Sequence, residues 1–200
     1  MFKHYILTRF NLGLYTNNPY NIENPDKWID KRMKLFEKTA LYSIKNQTFK
    51  HFKWIIAFDE NTPTRYIKMI DYCDCVELCF EQPHFYLRNQ EPAAEWIITS
   101  RLDNDDCYEP EFVEDIQSNF RFETEIIDIR YQRADYMIAK EHIRNRCNSP
   151  FLSLVEKWEP GICTAMGYNH TDMPDYFTGR KINKILATQV IHGDNIKNSF

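Results

Sequence analysis

Three carboxylates, Asp103, Asp105 and Asp106, fall within four positions, directly after the apolar run Trp96-Ile97-Ile98-Thr99-Ser100. Like charges this close repel one another strongly unless something positive sits among them. A doubly charged Mg²⁺ or Mn²⁺ relieves the repulsion, because both ions accept carboxylate oxygens and keep positions open for water or phosphate. Ions held by few protein ligands commonly work on a substrate's phosphates and neutralise charge as it develops there. The plainer reading is an Asp-rich turn in which Asp103 or Asp106 caps the helix that follows. Far along the chain, a strand-like run over residues 187–191 ends in His192, and Gly193 then frees the backbone to turn. A neutral imidazole suits a metal shared with carboxylates, although a lone histidine beside a strand is more often structural. Arg9, where the first apolar run stops, suits either a ligand's phosphates or a carboxylate of the protein.

The elements that must position these groups can be read from periodicity. Residues 96–102 are β-branched and apolar, too short for a good helix, and read as a buried strand. Three uncompensated charges cannot stay in a dry interior, so this strand must deliver its acidic end to an edge of the sheet. Residues 110–120 read as a helix with Phe112, Val113, Ile116 and Phe120 on one side. Strand, acidic turn and helix is the arrangement in which open α/β sheets bind ligands, beyond the carboxyl ends of the strands. Upstream, residues 4–8 form a first strand, and residues 13–24 an irregular loop. Asn24, Pro25 and Asp26 then cap a helix carrying Ile29, Met33, Phe36, Ala40 and Ile44 at helical spacing. Residues 54–58 are a second strand ending at Asp59, and Thr62-Pro63 opens a helix to about residue 72. Residues 76–80 are a third strand, and 83–95 carry no clear pattern.

This βαβ rhythm predicts an α/β fold with a mostly parallel sheet flanked by helices. Past residue 120 the rhythm changes. Residues 126–131, 136–139, 151–156 and 162–166 read as shorter strands without helices between them. The expectation is one domain over 1–200, made of a first half (1–120) and a smaller, partly antiparallel C-terminal half (121–200) packed against it.

Composition narrows the function classes. Two hundred residues, 43% hydrophobic and 15% aromatic, suit one domain with a sizeable core. A net charge of −4 supplies no basic field for polymer phosphates, which disfavours nucleic acid as a partner. A small anionic ligand, held by a metal or local arginines, is the better match. The N-terminus lacks a signal-peptide pattern and no window approaches transmembrane length, so a cytoplasmic protein with reduced cysteines is expected. Cys73, Cys75 and Cys79 match no common zinc frame and read as structural.

Residues 97–106 resemble the Asp-X-Asp segment of GT-A glycosyltransferases. More narrowly, they are similar to the rhamnosyltransferase family of bacterial and phage polysaccharide clusters. Four further stretches agree in the same order: His4 with residues 8–11; residues 32–36 with Ser43, Gln47 and Thr48; Trp54 with Phe58 and Asp59; and residues 189–195. Residues 149–156 are similar as well. The resemblance implies a GT-A-like (Rossmann-like) fold and a nucleotide-sugar donor, UDP-, GDP- or dTDP-linked, bound across the first sheet. It implies that Asp105 meets a Mn²⁺ or Mg²⁺ ion, that Asp103 reaches the ribose or a metal-bound water, and that His192 completes the metal shell. By the same resemblance Arg9 and Asp59 contact the nucleoside, Arg101 the nucleobase side or the diphosphate, and Asn195 belongs to the substrate-binding set. The reaction implied is displacement at the sugar's anomeric carbon by a hydroxyl of a glycan or other acceptor. An inverting reaction needs one more carboxylate as base; Glu156 is the first candidate and Asp172 the second. Two competing readings stand beside this one. A non-catalytic nucleotide- or sugar-binding module could keep the acids for structure, and a metal-dependent nuclease or nucleotidyltransferase also clusters aspartates but needs a basic track.

Overall fold

A computed structural model of the chain describes residues 1–19, 21–70, 74–135, 141–144 and 149–192. Four parallel strands come first: β1 (Phe2–Arg9), β2 (Lys53–Ala57), β3 (Val76–Cys79) and β4 (Trp96–Arg101), lying side by side in the order β3-β2-β1-β4. The middle strands are covered on both faces, which is why they read as continuous apolar runs. Adjacent residues divide between two core clusters: Ile6, Ile56 and Ile98 pack into one, and Leu7, Ile55 and Ile97 into the other. That split follows from the two-residue period of a strand.

The helix α1 (Pro25–Lys38) starts as its sequence predicts, with Asn24 Oδ1 accepting from the Lys27 amide at 2.9 Å and Pro25 in the first turn. The single helix expected as far as residue 44 is broken at Thr39, where ψ is −98°. The Thr39 hydroxyl donates to the Leu35 carbonyl at 2.8 Å, a local bond that competes with the helical ladder. The helix then resumes as α2 (Ala40–Lys45). Along α1 the buried positions are Ile29, Arg32, Met33 and Phe36, so one charged residue lies inside the apolar stripe. The second predicted helix is shorter than expected, α3 (Thr64–Lys68), and the unassigned stretch holds α4 (Pro83–Arg88), opened by a proline. The two-residue strand β5 (Cys107–Tyr108) and helix α5 (Phe112–Ser118) complete the first half.

The second half continues the same sheet. It contributes β6 (Glu125–Asp135), β7 (Glu141–Arg144), β8 (Ser153–Lys157) and β9 (Gly179–Ile191). β8 is antiparallel to both β4 and β6, and β7 is antiparallel to β6. β9 runs antiparallel to β5 but parallel to β6, with register shifts around Arg130. The described strands therefore form one mixed sheet, β3-β2-β1-β4-β8-β6-β9-β5, with β7 attached to β6. The mostly parallel part and the partly antiparallel part are both present, and the β6–β9 pair adds a parallel ladder where antiparallel pairing was expected.

The strand expected over residues 162–166 is instead a buried turn. The backbone amides of Cys163 and Thr164 each donate to the Glu156 carboxylate at 2.7 Å, and Ala165 donates to Thr99 Oγ1 at 2.8 Å. Thr164 adopts a φ of 65°, which no strand allows. Amides that a neighbouring strand would satisfy are satisfied by side chains. The expected strand over 136–139 lies outside the described residues. Among the described residues no helix is long and apolar enough to cross a membrane.

Candidate functional site

β1 and β4 end beside each other, and their ends are laced together. Thr8 Oγ1 donates to the Leu102 carbonyl at 2.7 Å, and the Leu102 amide donates to the Leu7 carbonyl at 3.0 Å. The chain then turns through the acids, with the Asp106 amide on the Asp103 carbonyl at 3.2 Å. Asn104 is the pin of this turn: its amide donates to the Phe10 carbonyl at 2.6 Å, tying the acidic segment to the exit of β1. Directly afterwards β5 pairs with β9, Cys107 opposite Thr188 and Tyr108 opposite Ala187. That pairing carries the end of β9 to the acids. Asp106 Oδ1 accepts from the Val190 amide at 2.8 Å, and His192 Nε2 lies 2.9 Å from Asp105 Oδ2.

A third element reaches the same oxygen. Arg32, buried on the inner side of α1, donates from Nη1 to Asp105 Oδ2 at 2.6 Å and to Asn104 Oδ1 at 3.2 Å. Its guanidinium carbon sits 4.9 Å from the centre of the Trp28 ring. Burial works to raise the Asp105 pKa, but the His192 hydrogen bond and the Arg32 charge outweigh it and hold the carboxyl below its ordinary value. Asp106 behaves oppositely. Burial, and then the charges of Asp105 and Asp103, push its pKa well above the usual carboxylate range. Asp103 is the more open of the three and meets Arg101 Nη2 at 3.4 Å. Arg101 Nε is buried with no hydrogen-bond partner among the described residues.

These groups line a cavity of about 380 Å³, within the range of small-molecule sites, roughly 300–1,000 Å³. Its charged wall holds three guanidiniums, Arg9, Arg32 and Arg101, and three carboxylates, Asp103, Asp105 and Asp106. Phe10, Leu12, Leu14 and Trp28 supply apolar surface, and Gln82, Asn169, His170 and Gln189 add polar groups.

Of the residues expected from sequence, Arg9, Arg101, Asp103 and Asp105 lie on this wall and His192 touches Asp105. Asp59 is elsewhere. Its carboxylate accepts from the amides of Tyr15, Thr16 and Asn61 at 3.1, 3.1 and 2.9 Å, and from Thr16 Oγ1 at 3.0 Å, so it fastens the loop that follows β1. Glu156 is buried and occupied by the two amides of the 162–166 turn. Asp172 is exposed, accepts from Asn169 Nδ2 at 3.2 Å and Thr171 Oγ1 at 2.9 Å, and stands two residues beyond His170 on the cavity wall. Asn195 lies outside the described residues. Sequence reasoning gave no role to Arg32, Trp28, Gln82, Asn169, His170 or Gln189. For Arg32 a signal was present: a cation between Ile29, Met33 and Phe36 faces the core, where a charge needs a partner.

The donors a divalent ion could draw on here are the Asp105 carboxylate and the His192 imidazole, with Asp103 in the same cavity. Asp105 Oδ2 and His192 Nε2 stand 2.9 Å apart as a hydrogen-bonded pair, and an ion taking both as ligands would take the place of that hydrogen bond. Among the described residues no three His, Cys, Asp or Glu side chains converge as a ready-made cage. The protein thus offers two close donors with Asp103 in the same cavity.

A family model described as "Putative rhamnosyl transferase" matches residues 20–199 of the chain. No curated protein matches the sequence. Among solved structures, that of S. aureus TarS 1-349 in complex with UDP-GlcNAc is similar with a TM-score of 0.59 at 11% identity, covering 96% of this chain and 60% of that one. The same protein in complex with UDP gives a TM-score of 0.53 at 10% identity, over 94% of this chain and 60% of that one. A structure of S. aureus TarS gives 0.56 at 11% identity, over 94% of this chain and 37% of that one. The chain spans about three-fifths of the length of the TarS 1-349 structures, and at this identity the likeness is one of fold.

Proposed function

The chain belongs to the "Putative rhamnosyl transferase" family, and from that premise we propose that it is a metal-dependent glycosyltransferase of GT-A-like fold, moving a sugar from a nucleoside-diphosphate sugar to an acceptor hydroxyl. The observation that carries this reading is the meeting of Asp105, His192 and Arg32 at one carboxylate oxygen inside a cavity with two further arginines. The TarS structures with UDP-GlcNAc and UDP bound to a similar fold lend support to a nucleotide-sugar donor.

In this reading Asp105 and His192 hold a Mn²⁺ or Mg²⁺ ion, with Asp103 beside them to reach the ribose or a metal-bound water. When bound, the ion offsets the negative charge that builds on the departing diphosphate. The protein's own groups do the rest. Arg9 and Arg101 place fixed positive charge on the cavity wall, where phosphates are oriented by charge-assisted hydrogen bonds. Arg101 Nε has no hydrogen-bond partner among the described residues, so this side chain keeps a spare donor. Leu12, Leu14 and Trp28 supply apolar wall beside these charges. If the anomeric configuration inverts, Asp172 is the better placed of the two candidate bases, because its neighbours Asn169 and His170 line the cavity while Glu156 is taken up by backbone amides.

The test is thermal stabilisation by Mn²⁺ with UDP, GDP and dTDP in turn, followed by nucleotide-sugar hydrolysis. One nucleotide should raise Tm more than the others in the presence of Mn²⁺, and Asp105→Ala should lose both the shift and the hydrolysis. Stabilisation without any turnover would indicate a binding module. Stabilisation by RNA or DNA but by no nucleoside diphosphate would indicate the nuclease class.

A further inference from the structure

We propose that Arg32 stands in for the divalent cation: it holds Asp105 in the metal-free site and so makes metal and diphosphate bind together instead of singly. The inference rests on the metal-assisted reading above and adds to it the order in which charges can enter. Arg32 Nη1 and His192 Nε2 both address Asp105 Oδ2, at 2.6 and 2.9 Å. An ion that takes Asp105 Oδ2 and His192 Nε2 as ligands competes with the guanidinium for the same oxygen. The guanidinium has somewhere to remain, because Asn104 Oδ1 at 3.2 Å and the Trp28 ring at 4.9 Å also hold it.

Charge balance shows why this matters. The cavity wall carries at least one guanidinium for each of its carboxylates, Arg9, Arg32 and Arg101 beside Asp103, Asp105 and Asp106. A lone M²⁺ entering beside Arg32 leaves a surplus of positive charge in a partly buried site, where screening is weak. A diphosphate entering with the ion cancels that surplus and gives the released guanidinium an anion to grip. Each ligand therefore improves the site for the other, and such coupling is reciprocal. The same arrangement protects the empty protein. Without Arg32, Asp105 would keep His192 but lie beside the carboxylates of Asp103 and Asp106 with one positive partner fewer.

The experiment is a calorimetric titration of the full chain with Mn²⁺ alone, and again with saturating UDP, GDP or dTDP, for wild type, Arg32→Met, Arg32→Lys and Asp105→Asn. Arg32→Met should bind Mn²⁺ alone on the order of ten-fold tighter than wild type, the scale of one charge-assisted hydrogen bond no longer competing. The improvement that a nucleoside diphosphate brings to Mn²⁺ binding should shrink in the same variant, and Arg32→Lys should resemble wild type. Should Arg32→Met fail to fold, Arg32→Gln keeps a donor for Asn104 and carries the same expectation. Wild type binding Mn²⁺, Asp105→Asn losing it, and Arg32→Met binding it equally or more weakly would overturn the stand-in role while leaving the metal reading intact. Absence of Mn²⁺ binding to every folded variant, with and without nucleoside diphosphate, would overturn both.

Discussion

Single residues in this chain show how one functional group, the carboxylate, serves unlike purposes. Asp105 faces a cavity, Asp59 fastens a loop and Glu156 fills a turn, yet from sequence all three are acids at or near strand ends. What separates them is the kind of donor each carboxylate finds once the chain is folded: the side chains of Arg32 and His192 for Asp105, loop amides and a hydroxyl for Asp59, and two turn amides for Glu156. Glu156 receives two backbone amides at 2.7 Å each, and burial still leaves its pKa raised. Glu156→Gln exchanges one acceptor oxygen for an NH₂ that faces an amide donor. The expected cost is about 1–3 kcal/mol, the penalty for an unsatisfied buried polar group. Urea unfolding measures it, and unchanged stability would mean the 162–166 turn does not depend on this carboxylate. The position of Asp105 at the acidic end of a buried strand was legible in sequence, because three acids after an apolar run must leave the interior or find partners. The partnership with Arg32 was not, since it joins residues 73 positions apart.

Elements were legible where period and capping agreed. The four parallel strands and the start of α1 match their sequence signals closely. The break at Thr39 was hidden because the apolar spacing continues across it, and the 162–166 turn looked like a strand because its apolar residues are buried by tertiary contacts. The loop between β1 and α1 was legible as irregular but not as anchored. It is held by Asp59, which accepts four hydrogen bonds, three of them from Tyr15 and Thr16. It also relies on Gly13, whose φ of 79° is a left-handed conformation that would strain any residue with a side chain. Since Asn11, Leu12 and Leu14 line the cavity, the loop's position shapes the site. Asp59→Asn should therefore destabilise the fold by about 1–3 kcal/mol and make residues 13–19 more susceptible to limited proteolysis. Equal cleavage rates in variant and wild type would show that other contacts hold the loop.

At the scale of the molecule, the two halves share one sheet, and a buried polar chain crosses their seam. His4 on β1 meets Ser100 on β4 at 2.8 Å, and Ser100 meets Ser153 on β8 at 2.6 Å. Gln117 on α5 reaches the other ring nitrogen of His4 at 3.2 Å. Burial lowers the His4 pKa from 6.5 to about 3. Between those values the unfolded chain takes up a proton that the folded one refuses, so stability falls as pH drops through that window, by up to about 1.4 kcal/mol per pH unit. His4→Gln should flatten the dependence of the urea midpoint on pH between 6 and 4. An unchanged slope would assign the acid sensitivity to other groups.

The hydrogen bond from Val190 to Asp106 has a consequence for how the protein matures. β9 must arrive from the far end of the chain, and a slip by one residue would turn every side chain to the wrong side. The buried acceptor on Asp106 rewards only the correct alignment, and that alignment is also what delivers His192 to Asp105. Completing the sheet and arming the pocket are thus one event, and a protein that has zipped up wrongly has no half-working form to release.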